Sequence, residues 1–189
     1  MSDGAPSVLR RAVFLDRDGV INRALVCEGR PHAPANLGEF EILPGVEEAC
    51  RKLKQAGFLL VVATNQPDVG RGTMKQEIVE AIHAHMRQRL PIDRVEVSYE
   101  GGGEQPPSEL RKPRPGMLLR AARELSIDLA RSFMVGDRWR DIECGRAAGC
   151  TTILVDYAYA EPLRQPPHYR VPSLLEAADI ILGFEKLRR

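Results

Sequence analysis

Short apolar runs recur along this chain with helical stretches between them, and this alternation constrains the fold more than any other feature. The runs are Ala12-Val-Phe-Leu15, Phe58 to Ala63, Ser132 to Val135 and Thr151 to Val155, and Val95 to Tyr99, third in order, is a further strand candidate. A run without polar alternation has no solvent-facing side, so it belongs to a strand covered on both faces. Between the runs, Pro44 to Ala56 reads as a helix: Val46, Ala49, Cys50 and Leu53 share one face, Pro44 suits the first position and Gly57 the C-terminal cap. Thr73-Met-Lys-Gln76 has the form of a capping box and predicts a helix to about Leu90. Helices are also predicted over Gly116 to Leu125 and Arg140 to Ala148. A short helix opens at the capping box Ser173-Leu-Leu-Glu176, and Ile180 to Leu182 reads as a last edge strand. The stretches 22–41 and 100–115, with their prolines and glycines, read as loops. The expectation is an α/β fold, a Rossmann-like three-layer sandwich around a parallel sheet, with all of 1–189 in a single domain.

Composition excludes some partners. Lys and Arg total 27 against 26 for Asp and Glu, so no general electrostatic footprint for nucleic acid or an anionic membrane is present. No apolar run approaches the ~20 residues that span a bilayer. Met1 to Ser7 carry no hydrophobic core of a signal peptide. Cys27, Cys50, Cys144 and Cys150 show no CxxC spacing, as expected of reduced cysteines in the cytoplasm. We expect a cytoplasmic monomer that acts on a small molecule.

In parallel sheets ligands bind beyond the carboxyl ends of the strands, so the residues there carry the chemistry. After the first run come Asp16 and Asp18, whose paired carboxylates call for a cation; magnesium suits oxygen ligands. After the second come Thr64, Asn65 and Gln66, where a hydroxyl and a backbone amide could hold a phosphoryl oxygen. Lys112 follows the third strand and its loop, a point charge suited to a phosphate oxygen or a carboxylate. After the fourth comes Gly136-Asp137, a candidate metal ligand, with Asp141 four residues on to orient it or a bound water. His83 and His85 stand two apart on a helix and face different ways, which excludes a shared ligand site.

In this order, these motifs resemble those of the haloacid dehalogenase (HAD) superfamily of phosphatases. Asp16-Arg-Asp-Gly-Val20 matches the first motif, Thr64 the second, Lys112 the third, and Gly136-Asp137 with Asp141 the fourth. The resemblance implies that Asp16 attacks phosphorus to form an aspartyl phosphate and that Asp18 is the general acid and base. It implies that Thr64 and Lys112 hold the phosphoryl oxygens. Magnesium would be bound by Asp16, Asp137 and Asp18, the last through its backbone carbonyl. A receiver-type signalling module is the alternative from another class, but such modules split their acidic pair and phosphoacceptor between strand ends. Many HAD members insert a cap domain after the first or second motif; the stretches available here are short, so no separate cap domain is expected.

Three strings narrow the resemblance. Phe14 to Asn22, Thr64-Asn-Gln-Pro-Asp-Val-Gly-Arg-Gly72 and Arg111-Lys-Pro-Arg-Pro-Gly-Met-Leu118 resemble the D,D-heptose 1,7-bisphosphate phosphatases, with the histidinol-phosphate phosphatases as close relatives. The implied substrate is a small phosphorylated sugar, with Asn65, Gln66, Arg71, Arg111 and Arg138 as substrate-binding residues. Many members of both families hold a structural zinc through Cys-x-His and Cys-x-Cys in the loop before the Arg-Lys-Pro string. The matching stretches here, Val97-Ser-Tyr-Glu100 and Ser108-Glu-Leu-Arg111, have neither Cys nor His, so no zinc is expected.

Overall fold

The computed structural model describes residues 9–27, 30–103 and 108–187; the readings that fall on 1–8, 28–29, 104–107 and 188–189 lie outside the described residues. The elements in chain order are β1 (Ala12–Leu15), β2 (Leu25–Cys27), β3 (Arg30–His32), α1 (Val46–Gln55), β4 (Leu59–Asn65), α2 (Pro67–Gly70), α3 (Gln76–Arg89), β5 (Arg94–Ser98), α4 (Gly116–Leu125), β6 (Phe133–Gly136), α5 (Trp139–Ala147), β7 (Thr151–Val155), β8 (Tyr169–Val171) and α6 (Leu174–Leu187). Short 3-10 turns stand at Leu37–Glu39 and Leu129–Arg131. Six strands form one sheet in the order β5-β4-β1-β6-β7-β8, every neighbouring pair parallel.

Continuous apolar runs meet their expected fate. Along β1, Val13 and Leu15 pack on one side with residues of α1, α3 and α6. Ala12 and Phe14 face the other side, against α4 and α5. The helical face read from Val46, Ala49, Cys50 and Leu53 is buried. Full burial of a side chain such as Leu53 is worth roughly 1.5–3 kcal/mol. Cys50, Cys144 and Cys150 are free and buried, and burial pushes each thiol up to about 12, which keeps them unreactive.

Several expectations need correction. Ile180 to Leu182 is not a strand but part of α6: Leu174, Ala177, Ala178 and Ile181 are buried at helical spacing on one face. The sixth strand is instead β8, paired parallel to β7. The stretch 22–41 is not all loop, because β2 and β3 form an antiparallel hairpin within it. Thr73 does not cap a helix; its hydroxyl donates to the Asp68 carbonyl, and α3 begins three residues later, with Lys75 as its N-cap. At the second predicted capping box the reciprocal backbone pair does not form: Ser173 Oγ donates to the Glu176 carboxylate and accepts from the Leu175 amide at 3.1 Å, so the serine caps the helix alone.

Between β1 and α1, and between β4 and β5, the described residues hold only the hairpin, a 3-10 turn and the helices α2 and α3. The carboxyl ends of β1, β4 and β6 therefore open into an uncovered cleft of about 740 Å³.

Candidate active site

The first turn beyond β1 sets the site. The Asp16 amide hydrogen-bonds the Val135 carbonyl at 2.9 Å, which ties the end of β1 to β6. Asp16 Oδ1 accepts from the Arg17 amide at 2.7 Å and faces Lys112 Nζ at 2.9 Å. Lys112 is buried, donates to the Ala63 carbonyl at 2.8 Å and lies 2.6 Å from Asp141 Oδ1. Burial alone would lower the pKa of this ammonium, but Asp141 and Asp16 outweigh it and hold the lysine charged.

Asp16, Asp137 and Asp141 each offer a carboxylate oxygen, all within 4.8 Å of one another. Burial pushes Asp16 up to about 6; Asp141 and Asp18 add to the shift and Lys112 opposes it. Asp137 is raised well above the carboxylate range by burial and then by Asp16 and Asp141. Two glycines make this crowding possible. A Cβ at Gly19, where φ is +84°, would stand 2.1 Å from Asp137 Oδ2. A Cβ at Gly136 would stand 2.1 Å from the Asp141 Cβ.

The donor set fits a divalent cation. Both carboxylate oxygens of Asp137 are buried without a hydrogen-bond partner, an arrangement that costs several kcal/mol unless a cation completes it. All the side-chain ligands are hard oxygens, as magnesium prefers. The third carboxylate of the cluster is Asp141; the sequence reading assigned Asp18 to the metal through its backbone carbonyl.

The Asp18 carboxylate is turned to other partners. Oδ1 accepts from Arg17 Nε at 3.2 Å and Asn22 Nδ2 at 3.0 Å, and Oδ2 accepts from Gln66 Nε2 at 2.8 Å. Arg17 is fully buried, and its Nη1 lies 3.2 Å from His83 Nε2 on α3. Arginine only donates, so His83 must accept through an unprotonated Nε2. Burial and then the Arg17 charge hold His83 down at about 4. His85 instead sets its ring edge-on to Phe40, so the two histidines do face different partners. Arg17 and His83 were missed as site residues; the motif string contains Arg17, but nothing in it shows that the side chain is buried.

Other predicted residues divide. Thr64 is buried at the end of β4, and its hydroxyl accepts from Gln66 Nε2 at 2.9 Å. Gln66 was expected on the substrate; its amide nitrogen is spent on Asp18 and Thr64. Asn65 was expected there too, yet its Nδ2 donates to the Lys112 carbonyl at 3.0 Å and its Oδ1 accepts from the Lys112 amide at 3.1 Å. Both act as positioning groups. Arg71, Arg111 and Arg138 line the cleft as expected, and so does Arg140, which the motif reading left out. Arg138 sets its guanidinium on Glu161, with Nε 2.9 Å from Oε2. Arg111 donates to the Glu100 carbonyl at 2.6 Å and Arg71 to the Gly101 carbonyl at 3.1 Å. Two arginines thus hold the loop after β5.

A carboxylate at the end of the central strand, a buried lysine beside it and an acidic cluster opposite define a phosphoryl-transfer site of the HAD type. The HAD-hydrolase-like family model matches residues 109–177, the segment that carries Lys112, Asp137 and Asp141. The chain is 33% identical to the D-glycero-beta-D-manno-heptose-1,7-bisphosphate 7-phosphatase of Pasteurella multocida (strain Pm70), over 94% of this chain and 100% of that protein. It is 38% identical to the enzyme of the same name from Yersinia pestis, over 75% of this chain and 77% of that one. The crystal structure of D,D-heptose 1,7-bisphosphate phosphatase from B. bronchiseptica, complexed with magnesium and phosphate, superposes with a TM-score of 0.76 at 28% identity, over 92% of this chain and 99% of that one. The chain belongs to the HAD phosphatases, in the family of the heptose 1,7-bisphosphate phosphatases. It is a phosphoric monoester hydrolase.

Proposed function

We propose that this enzyme removes the 7-phosphate of D-glycero-D-manno-heptose 1,7-bisphosphate, with magnesium, through an aspartyl phosphate on Asp16. The observation that carries this is the placement of Asp16 between the buried Lys112 ammonium and the Asp137–Asp141 cluster. In the first step the Asp16 carboxylate attacks phosphorus, and the bond to the sugar oxygen breaks as a protonated Asp18 gives that oxygen its proton. In the second, Asp18 takes a proton from water as the water oxygen attacks phosphorus. Inorganic phosphate leaves and Asp16 is regenerated.

Lys112 and the Thr64 hydroxyl hold the phosphoryl oxygens, and Asn65 and Gln66 fix those two groups in place. Asp16, Asp137 and the backbone carbonyl of Asp18 would hold magnesium, with Asp141 in the same cluster. When bound, the ion offsets charge on the transferring group. Arg111, from the loop after β5, and Arg71, at the end of α2, face the sugar. Among the described residues no helix is long and apolar enough to cross a membrane.

A phosphate-release screen tests this. Heptose 1,7-bisphosphate is expected to outperform other sugar bisphosphates and histidinol phosphate, and excess EDTA to abolish turnover. Full activity in EDTA removes the metal from the reading, and histidinol phosphate as the best substrate removes the sugar.

A further inference from the structure

The cleft holds more positive charge than one transferring phosphoryl group calls for. Lys112 already serves that group beside Asp16, and four arginines stand around the same cleft. Arg138 is committed to Glu161, Arg111 to the Glu100 carbonyl, and Arg71 to Asp68 and the Gly101 carbonyl. Arg140 differs. Among the described residues its guanidinium has no hydrogen bond or ion pair; its recorded contact is with the Trp139 ring, 5.2 Å from the centroid. That ring is shared with Arg164, which lies closer, at 4.0 Å.

The position of Arg140 runs against ordinary helix electrostatics. It is the second residue of α5, where the helix dipole favours anions and disfavours cations. It is partly buried, and it lines the same cleft as two further arginines, Arg138 and Arg111. The two carboxylates that favour it, Glu161 and Asp141, are engaged by Arg138 and Lys112. A cation kept there without a protein anion is one that an incoming anion would complete.

We propose that Arg140 is a specificity-determining residue that takes the second phosphate of the substrate, the one remote from the bond being cleaved. A planar guanidinium suits bidentate phosphate contact, and the helix N-terminus beside it adds the same sign of field. This inference rests on the reading of the enzyme as a sugar bisphosphatase.

The experiment uses the full chain and two ligand pairs as competitors of 4-nitrophenyl phosphate hydrolysis: heptose 1,7-bisphosphate with heptose 7-phosphate, and fructose 1,6-bisphosphate with fructose 6-phosphate. In wild type the bisphosphate should win within a pair. In Arg140→Ala that advantage should fall about tenfold or more, the loss of one charge-assisted contact, and Arg140→Lys should restore part of it. Thermal melting checks that both variants are folded. An unchanged advantage, or equal losses for bisphosphate and monophosphate, overturns the role of Arg140. No advantage of either bisphosphate in wild type overturns it as well. If only the fructose pair shows the advantage and Arg140→Ala abolishes it, the heptose reading fails and Arg140 stands.

Discussion

Arg17 closes its guanidinium on the carboxylate of the next residue, Asp18, through Nε at 3.2 Å and Nη2 at 3.1 Å from Oδ1 and Nη2 at 3.1 Å from Oδ2. The fork fixes where the proposed general acid points. A lysine carries the same charge but cannot span both oxygens. Arg17→Lys is therefore expected to lower kcat about ten- to hundredfold for sugar phosphates, whose leaving oxygen needs a proton, and much less for 4-nitrophenyl phosphate. The check is a plot of rate against leaving-group pKa. A slope like that of wild type would mean that Arg17 serves the fold alone.

The two motif aspartates should separate by chemistry. Asp16→Asn is expected to abolish the acid-stable phosphoenzyme and turnover together. Asp18→Asn should cost roughly 10²–10⁴-fold on sugar phosphates and distinctly less on nitrophenyl phosphate. Rapid-quench phosphoenzyme trapping distinguishes them, and equal losses on both substrates would argue against Asp18 as the acid.

His83 makes stability depend on pH. Its folded-state value of about 4 lies below the ordinary 6.5, because burial and then Arg17 disfavour the imidazolium. Above about 6.5 the histidine is neutral in both states. As pH falls from 6.5 toward 4 the unfolded chain takes up the proton first, so stability is lost through that window, to a total of about 3 kcal/mol. His83→Gln does not titrate and can still accept from Arg17. Urea unfolding at pH 5 and 7.5 should show a smaller difference for the variant than for wild type; equal differences would mean that another group sets the acid limit.

Gly19→Ala should raise the magnesium concentration needed for half-maximal activity, since the new methyl would displace Asp137. Gly57→Ala is the control: φ is +85° there, yet a Cβ meets nothing within 4 Å. Both should lower the melting temperature through backbone strain. Only the first should shift the metal requirement.

How far the sequence carried the reading depends on whether a residue acts through its neighbours in the chain or across the fold. Asp16 and Asp137 follow buried strands, and a parallel sheet gathers strand ends at one edge, so their meeting was legible. Arg17 and His83 meet across 66 positions, which no local pattern reports. Asn65 and Gln66 were legible as polar groups near the site but not in direction, because a donor shows its chemistry in the sequence and its aim only in the fold. The strand β8 escaped notice since only Val171 of its three residues is buried. Ile180 to Leu182 passed for a strand because three apolar residues in a row fit either period.

Asn65 pairs with the Lys112 backbone through both halves of its side-chain amide, much as a further strand would pair with β4. The two residues are 47 positions apart, and the loop after β5, whose Arg111 lines the cleft, leads into the second of them. The lysine that serves the phosphoryl group is thus anchored to the sheet and not to that loop. A chain with a different segment at 99–111 is therefore expected to change its sugar preference while keeping 4-nitrophenyl phosphate hydrolysis. The part of recognition that lies in this loop is thus separable from the reacting groups, and a loop graft is the way to alter it.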